Sequence, residues 1–355
     1  MQTTIKKLLK SEIEITGEIS AADFDKFIAQ SVKYFSQNME IPGFRKGHVP
    51  EKMAQEKAGE DTILHEAAEL ALQDAYPKIL QTEKIEAIGR PEIVITKMAR
   101  NNSLEFKIKT AVLPEINLPD YKSVVSKVPA TEKSEISEKE LTEALNYLRK
   151  SRAPHNAGAK NDPENKTEDL PELNDAFAKS VGKFNTLEEL KNALRENLAF
   201  EKEMKNKEKR RTEILQKISE SITWELPNII IEAEKEKMVT EMKGNIEGMG
   251  LKWEDYLKNI KKTAEDLKKE WMPEAEKRVK YGLVIREIGA KENTTPSEAE
   301  IKNYTDKMLE KYGGADNAKI DKNRLNDYAQ SVLGNEKTLQ FLETCESETR
   351  DAKNH

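Results

Sequence analysis

Ile41-Pro42-Gly43-Phe44-Arg45-Lys46-Gly47-His48-Val49-Pro50 gathers two glycines, two prolines, two neighbouring cations and one aromatic into a single short stretch. Gly43 and Gly47 admit positive φ, while Pro42 and Pro50 deny regular structure at either end. The spacing predicts a tight tip that holds Phe44, Arg45 and Lys46 away from the fold. A segment built this way is more often a binding loop than a connector. A plainer reading of the same residues folds Phe44 back into the core and leaves the cations solvated.

Working outward, Ile13, Ile15 and Ile19 fall on alternate positions with Gly17 between them, as in a strand carrying a bulge or bend. Phe24, Phe27, Ile28, Val32 and Phe35 follow at helical spacing. Beyond the loop, Thr62 to Gln81 is rich in Ala, Leu and Glu and reads as a helix, which Pro77 should kink or stop. Leu104, Phe106, Ile108 and Val112 alternate, with Pro91 to Met98 as the partner strand. Residues 1–115 therefore read as a small α/β domain with helices on one face of an antiparallel sheet.

The loop resembles the ribosome-docking signature of the trigger factor family, bacterial chaperones that meet nascent chains at the exit tunnel. The matching positions are Gly43, Phe44, Arg45, Lys46, Gly47 and Pro50. The order of strand, helix, loop, helices and strands is also similar to the family's N-terminal domain. The resemblance implies that residues 1–115 bind the ribosome through Gly43, Phe44, Arg45, Lys46 and Gly47. The implied contact is a large-subunit protein beside the tunnel exit, with rRNA adjacent.

Pro114 to Pro129 carries three prolines and reads as an extended linker. A capping box, Ser137 with Glu140, opens a helix whose stripe is Leu141, Ala144, Leu145 and Leu148. Residues 116–150 thus form a linker and the first helix of a second domain. Residues 151–169 are dominated by Pro, Asn, Gly, Asp and Lys and show no apolar period. Trigger factors usually carry a peptidyl-prolyl isomerase domain here. Such a domain needs roughly 90 residues to bury a core. The resemblance resumes at Asp169-Leu170-Pro171-Glu172-Leu173, so it implies a form without the isomerase.

From Thr186 onward the chain is helical by pattern. Thr186 with Glu189 makes another capping box, and Leu187, Leu190, Leu194 and Leu198 a stripe. Glu201 to Glu213 is almost wholly charged, with only Met204 to bury, and reads as a helix bridging solvent. Pro227 opens a helix with Ile231, Met238, Met242 and Met249 on one face. A partner helix from Trp253 through Ile285, broken at Pro273, completes what resembles one family arm; Ala275 to Ile285 matches a well-marked family helix. Thr295-Pro296-Ser297-Glu298 starts another helix with proline at its first position, lined by Ile301, Tyr304, Met308, Leu309 and Tyr312 and ended by Gly313-Gly314. Two short helices, Leu325–Leu333 and Glu336–Glu343, complete the second arm. Residues 170–346 form this helical substrate-binding domain, and 347–355 a polar, disordered tail. The fold class is α+β: the small N-terminal domain plus an elongated all-α domain with helical arms.

Charged residues are 35% of the chain and hydrophobic ones 37%, as suits helical parts with much surface for little core. A net charge of −6 argues against a general nucleic-acid binder, so no DNA partner is expected. The lone Cys345 rules out an internal disulfide framework. The first residues lack a signal-peptide core and no run approaches a membrane span, so the expectation is a cytoplasmic protein without a membrane partner. His48, His65, His155 and His355 are scattered away from any metal-ligand spacing, and no phosphate-cradling glycine loop or dinucleotide fingerprint occurs. No catalytic residue, metal or cofactor is expected.

The expected function is an ATP-independent chaperone that docks through the 43–47 loop and shields nascent or unfolded chains. Methionine is flexible and polarizable, which suits promiscuous apolar contact. Ile231, Met238, Met242, Met249, Trp253 and Tyr256 are the expected client contacts, although a methionine stripe serves equally as a seam between helices. Homodimerisation when free is implied by the resemblance. The alternatives are a prolyl isomerase of the same family, or a helical adaptor for one defined partner.

Overall fold

A computed structural model describes residues 2–42, 44, 45, 47–130, 135–152, 170–312 and 321–351, without the side chains of Tyr312 and residues 346–351. In chain order the first elements are β1 (Gln2–Lys7), β2 (Glu12–Ile19), α1 (Ala21–Asn38), α2 (Glu51–Ala58), α3 (Glu60–Thr82), β3 (Ala87–Lys97) and β4 (Leu104–Val112). Next come α4 (Tyr121–Val125), α5 (Glu138–Arg152), α6 (Asp175–Val181), α7 (Leu187–Glu220) and α8 (Asn228–Gly248). The last are α9 (Trp253–Ile260), α10 (Ala264–Glu270), α11 (Met272–Glu292), α12 (Glu298–Tyr312) and α13 (Lys322–Asp351). A small antiparallel sheet with a helical remainder makes the fold α+β. The chain divides into two compact units: residues 1–117 with 222–283, and residues 118–221 with 284–355.

In the first unit the sheet order is β1-β2-β4-β3, antiparallel throughout. Ile13, Ile15, Gly17 and Ile19 of β2 and Leu104, Phe106 and Ile108 of β4 point to one buried face. α1 and α3 cover that face through Phe24, Ile28 and Val32 and the alanines 67, 68, 71 and 75. Gly17 makes no bulge, contrary to expectation: β2 and β4 pair without a break from Glu12↔Ala111 to Ile19↔Leu104. Gly17 lies opposite Phe106, and a Cβ there would sit 2.4 Å from the ring's Cζ. The glycine makes room for the aromatic.

Pro77 does not stop α3, which runs on to Thr82. The proline removes one backbone bond, and the buried Ile79 beyond it offsets that loss. β3 starts before Pro91, and Pro91 falls in a register shift between Ile88 and Glu92 of this edge strand, where a missing N–H costs no ladder bond. β1 and α2 had no legible period, since each buries little of its own.

Further along the same unit, Ile231 and Met238 of α8 pack with Leu226, Ala275 and Leu283. The expected helix 253–285, broken at Pro273, is three helices. Lys261, at φ 55°, closes α9, and a Thr263–Asp266 capping box opens α10. The expected break near Pro273 is present: α10 ends at Glu270, and Pro273 occupies the second position of α11, where a helix has no use for its N–H.

In the second unit the expected linker contains α4. Asp120 caps it, and Tyr121, Val125 and Val128 are buried. The Tyr121 hydroxyl donates to the Glu292 carboxylate, and Lys122 pairs with the same group at 3.2 Å. Ser137 and Glu140 form the expected box, with Glu140 N–H donating to Ser137 Oγ and Ser137 N–H to the Glu140 carboxylate at 2.9 Å. Thr186 caps α7, but the Glu189 carboxylate takes the N–H of Asn185 rather than that of Thr186. α5, α6 and the start of α7 share a core of Leu141, Leu145, Phe177, Ala178 and Leu190.

The charged 201–213 stretch of α7 does not simply bridge solvent. Arg210 and Arg211 are buried while Met204 is exposed. Arg211 bonds to Glu336 at 2.7 and 2.8 Å and to Glu343 at 2.6 Å, tying α7 to α13. Lys202 reaches Glu140 of α5 at 2.9 Å. Ser297, not Pro296, starts α12, since Glu300 N–H donates to its hydroxyl and Pro296 lies outside the cap. The two expected terminal helices are one: α13 passes through Gly334 and its backbone continues to Asp351, beyond the expected start of the tail. Gly313, Gly314, residues 153–169 and 352–355 lie outside the described residues.

Candidate functional site

The loop leaves α1 at Met39, whose N–H donates to the Phe35 carbonyl, and enters α2 at Pro50. Two backbone turns shape it: Phe44 N–H to Ile41 O at 3.0 Å and His48 N–H to Arg45 O at 3.0 Å. Gly47 holds φ at +84°, which only glycine adopts without strain. Val49 is buried at the far foot, and its carbonyl accepts a 2.6 Å bond from Ser36 Oγ on α1.

On this frame Phe44 is 38% exposed and stands outside the core, so the folded-back reading does not hold. Arg45 is exposed, and its guanidinium makes no hydrogen bond or ion pair among the described residues. Gly43 and Lys46 lie outside the described residues. An aromatic and a free guanidinium are thus exposed side by side. Such a pair can bond a carboxylate or phosphate while the ring enters an apolar niche.

The expected client residues do not stay together. Ile231 and Met238 are buried in the α8–α11 seam, and Trp253 is buried while stacking on Tyr256 at 5.9 Å. These three serve packing and offer a client nothing in this structure. Met242 and Tyr256 are half-buried. Met249 is 73% exposed, and Leu251, which sequence reasoning missed, is 56% exposed beside it in the turn between α8 and α9. The signal for Leu251 was its place after Gly250, between two helices, where no seam could claim it.

His48 and His65 are exposed and Cys345 is buried. Among the described residues no cluster of His, Cys, Asp and Glu could hold a metal, and no helix is long and apolar enough to cross a membrane.

A small α+β module bearing an exposed aromatic–cationic loop, followed by a helical body, defines the class. Family models described as bacterial trigger factor protein and its C-terminus match residues 1–148 and 186–343, and the chain belongs to the trigger factor family. A trigger factor from Carboxydothermus hydrogenoformans is 27% identical, with 96% of this chain and 98% of the relative covered. One from Halothermothrix orenii is 26% identical over 87% of this chain and 90% of its own. A solved trigger factor chaperone, described by its promiscuous substrate recognition in folding and assembly, shares the fold at TM-score 0.57 and 18% identity, covering 97% of this chain and 99% of its own. The two family models leave 149–185 unmatched. The first alignment spans 425 positions against 355 residues here, so that relative carries sequence with no counterpart in this chain.

Proposed function

We propose that this protein is an ATP-independent chaperone that docks beside the ribosomal exit tunnel through residues 43–47 and holds nascent or unfolded chains loosely against its helices. The observation that carries the docking is the tip itself: Phe44 exposed, Arg45 unpaired, and the loop braced at both feet. Its partners are a large-subunit protein with acidic side chains and the adjacent rRNA backbone. Residues 1–115 form the docking domain and residues 170–346 the client-binding body, with Met249 and Leu251 as its accessible apolar contacts. Promiscuous recognition, stated of the solved relative, is the behaviour proposed here; loose binding and client folding replace a nucleotide cycle in release. The protein works in the cytoplasm without membrane or DNA partners, self-associates as a homodimer when off the ribosome, and has no prolyl isomerase activity.

Ribosome co-sedimentation tests the docking. Reversing Arg45 and Lys46 to Glu removes two attractive contacts and adds two repulsive ones, so binding should fall at least about ten-fold. Wild-type binding should weaken as salt rises, and circular dichroism should not change. Undiminished pelleting of the double variant overturns the docking. Suppression of aggregation of a denatured client without ATP tests the holding role, and no suppression at several-fold molar excess overturns it.

A further inference from the structure

Hydroxyls on the helices of this protein mostly turn back on their own helix. Thr82, Thr142, Thr212, Ser221 and Thr240 each donate to the carbonyl four residues earlier. That is the default for a hydroxyl in or just after a helix. α1 departs from it twice. Ser31 Oγ reaches the Ile63 carbonyl of α3 at 3.0 Å, joining two core helices. Ser36 Oγ reaches the Val49 carbonyl at 2.6 Å and joins the last turn of α1 to the far foot of the loop.

The second bond joins no two core helices. It closes the loop on the helix the chain has just left. Among the described residues between Met39 and Pro50, Val49 alone is buried, and Ser36 grips the backbone of that apolar anchor. From Met39 to His48 the described residues are exposed or half-buried, and two turn bonds, Phe44 N–H to Ile41 O and His48 N–H to Arg45 O, shape the tip. A surface loop with its ends drawn together is the compact Ω type, ordered by what ties its feet.

We infer that Ser36 is a positioning residue for ribosome docking: its hydroxyl straps Val49 and thereby presents Phe44 and Arg45 in the pose that binds. The inference rests on the docking reading above. Ser36 touches no partner. It acts by raising the fraction of molecules whose loop is already in the binding pose, and apparent affinity scales with that fraction. Without the strap, the two turns and Gly47 leave the tip many conformations, and docking must order them.

The test compares Ser36→Ala, Ser36→Thr and Ser31→Ala with wild type and with the Arg45/Lys46 double reversal. Each is assayed by ribosome pelleting titrations at two salt concentrations, by thermal melting, and by hydrogen exchange at the Phe44 and His48 amides. Ser36→Ala should bind about three- to ten-fold more weakly, the range expected when one ordinary hydrogen bond is lost. Its salt dependence should match wild type, because no charge has changed. Exchange at Phe44 and His48 should quicken, and the melting temperature should stay close to wild type. Ser36→Thr keeps the hydroxyl and should recover binding. Ser31→Ala should melt earlier yet bind ribosomes normally. Wild-type affinity in Ser36→Ala, beside weakened binding in the double reversal, overturns the inference and leaves the docking reading standing. A fall in melting temperature equal to that of Ser31→Ala, with exchange at the tip unchanged, also overturns it by making Ser36 purely structural. Unaltered binding in the double reversal removes the docking reading, and this inference with it.

Discussion

Replacing Arg211 with methionine should destabilise the second unit by about 2–3 kcal/mol. Arg211 is 8% exposed, and its guanidinium serves three carboxylates: Glu208 at 3.2 Å, Glu336 at 2.7 Å and Glu343 at 2.6 Å. Removing one partner of a buried ion pair costs about 3–5 kcal/mol, because the other charge is left uncompensated. Glu336 and Glu343 keep 41% and 21% of their side-chain surface, so water covers part of the loss and the figure moves down. Lys207 still reaches Glu343 at 3.3 Å and moderates it further. The pH dependence has a definite sign. Arg211, by its hydrogen bond first, holds the Glu336 carboxyl below the usual value of 4.5. A depressed folded-state pKa stabilises above the unfolded value, and that contribution is lost as pH falls through the folded one. The gap between wild type and Arg211→Met should therefore be full at pH 7 and narrow below about pH 4.5. Urea unfolding followed by circular dichroism at pH 7 and pH 4 measures both. A triple variant that adds Glu336→Gln and Glu343→Gln should recover most of the loss, since the two carboxylates Arg211 held on α13 are then neutral and the charges left over, Lys207 and Glu208, reach solvent. Coincident midpoints for wild type and Arg211→Met at pH 7, or a gap that widens in acid, would show that the hub is solvated and does not join α7 to α13.

Gly17→Val should destabilise the sheet by about 1–3 kcal/mol, because its Cβ lands 2.4 Å from Phe106 Cζ; thermal melting should show partial recovery when Phe106→Leu is added. Glu140 and Glu300 should both titrate near pH 2 by carboxyl NMR, since each is held down to about 2, Glu140 first by the Ser137 N–H and Glu300 first by the Lys337 ammonium. Both contributions are therefore present above about pH 4.5 and lost as pH falls toward 2. Lys337→Met should raise the Glu300 midpoint more than Lys202→Met raises that of Glu140, because Lys202 is only a secondary cause for Glu140.

What could be read ahead of the structure depended on how local the physics was. Ser137, Glu140 and Thr186 announced their helix starts because a cap involves residues three or four apart in sequence. The loop was legible for the same reason: its turns close within the decapeptide. The alternation of β2 and β4 named the buried face correctly, but the role of Gly17 did not follow from it. A glycine in a strand has the same signature whether it bulges or yields space, and only the register to Phe106 separates the two. Pro77 misled, because proline marks a possible boundary and the packing around it decides whether the helix ends, whereas Pro273 and Pro296 each lie within two residues of a true helix start.

The client surface was the least legible part. Met238 and Met249 have the same chemistry and the same helical phase in the sequence, yet one is buried in a seam and the other, just past the end of α8, is exposed. Helical period assigns the face but not how far along it a partner helix reaches.

The amino-acid sequence by itself determined the α+β class, the tip that carries Phe44 and Arg45, the capped starts of α5 and α7 and the family, because each rests on short-range spacing or on residue identity. Tertiary structure alone decided that α4 folds inside the linker, that Arg210 and Arg211 are inner residues of α7, and that Ser36 turns outward to hold Val49. Those outcomes depend on partners far away along the chain. A charged or hydroxyl side chain is buried only where the fold supplies its hydrogen bonds, and its own neighbours in sequence say nothing of that supply.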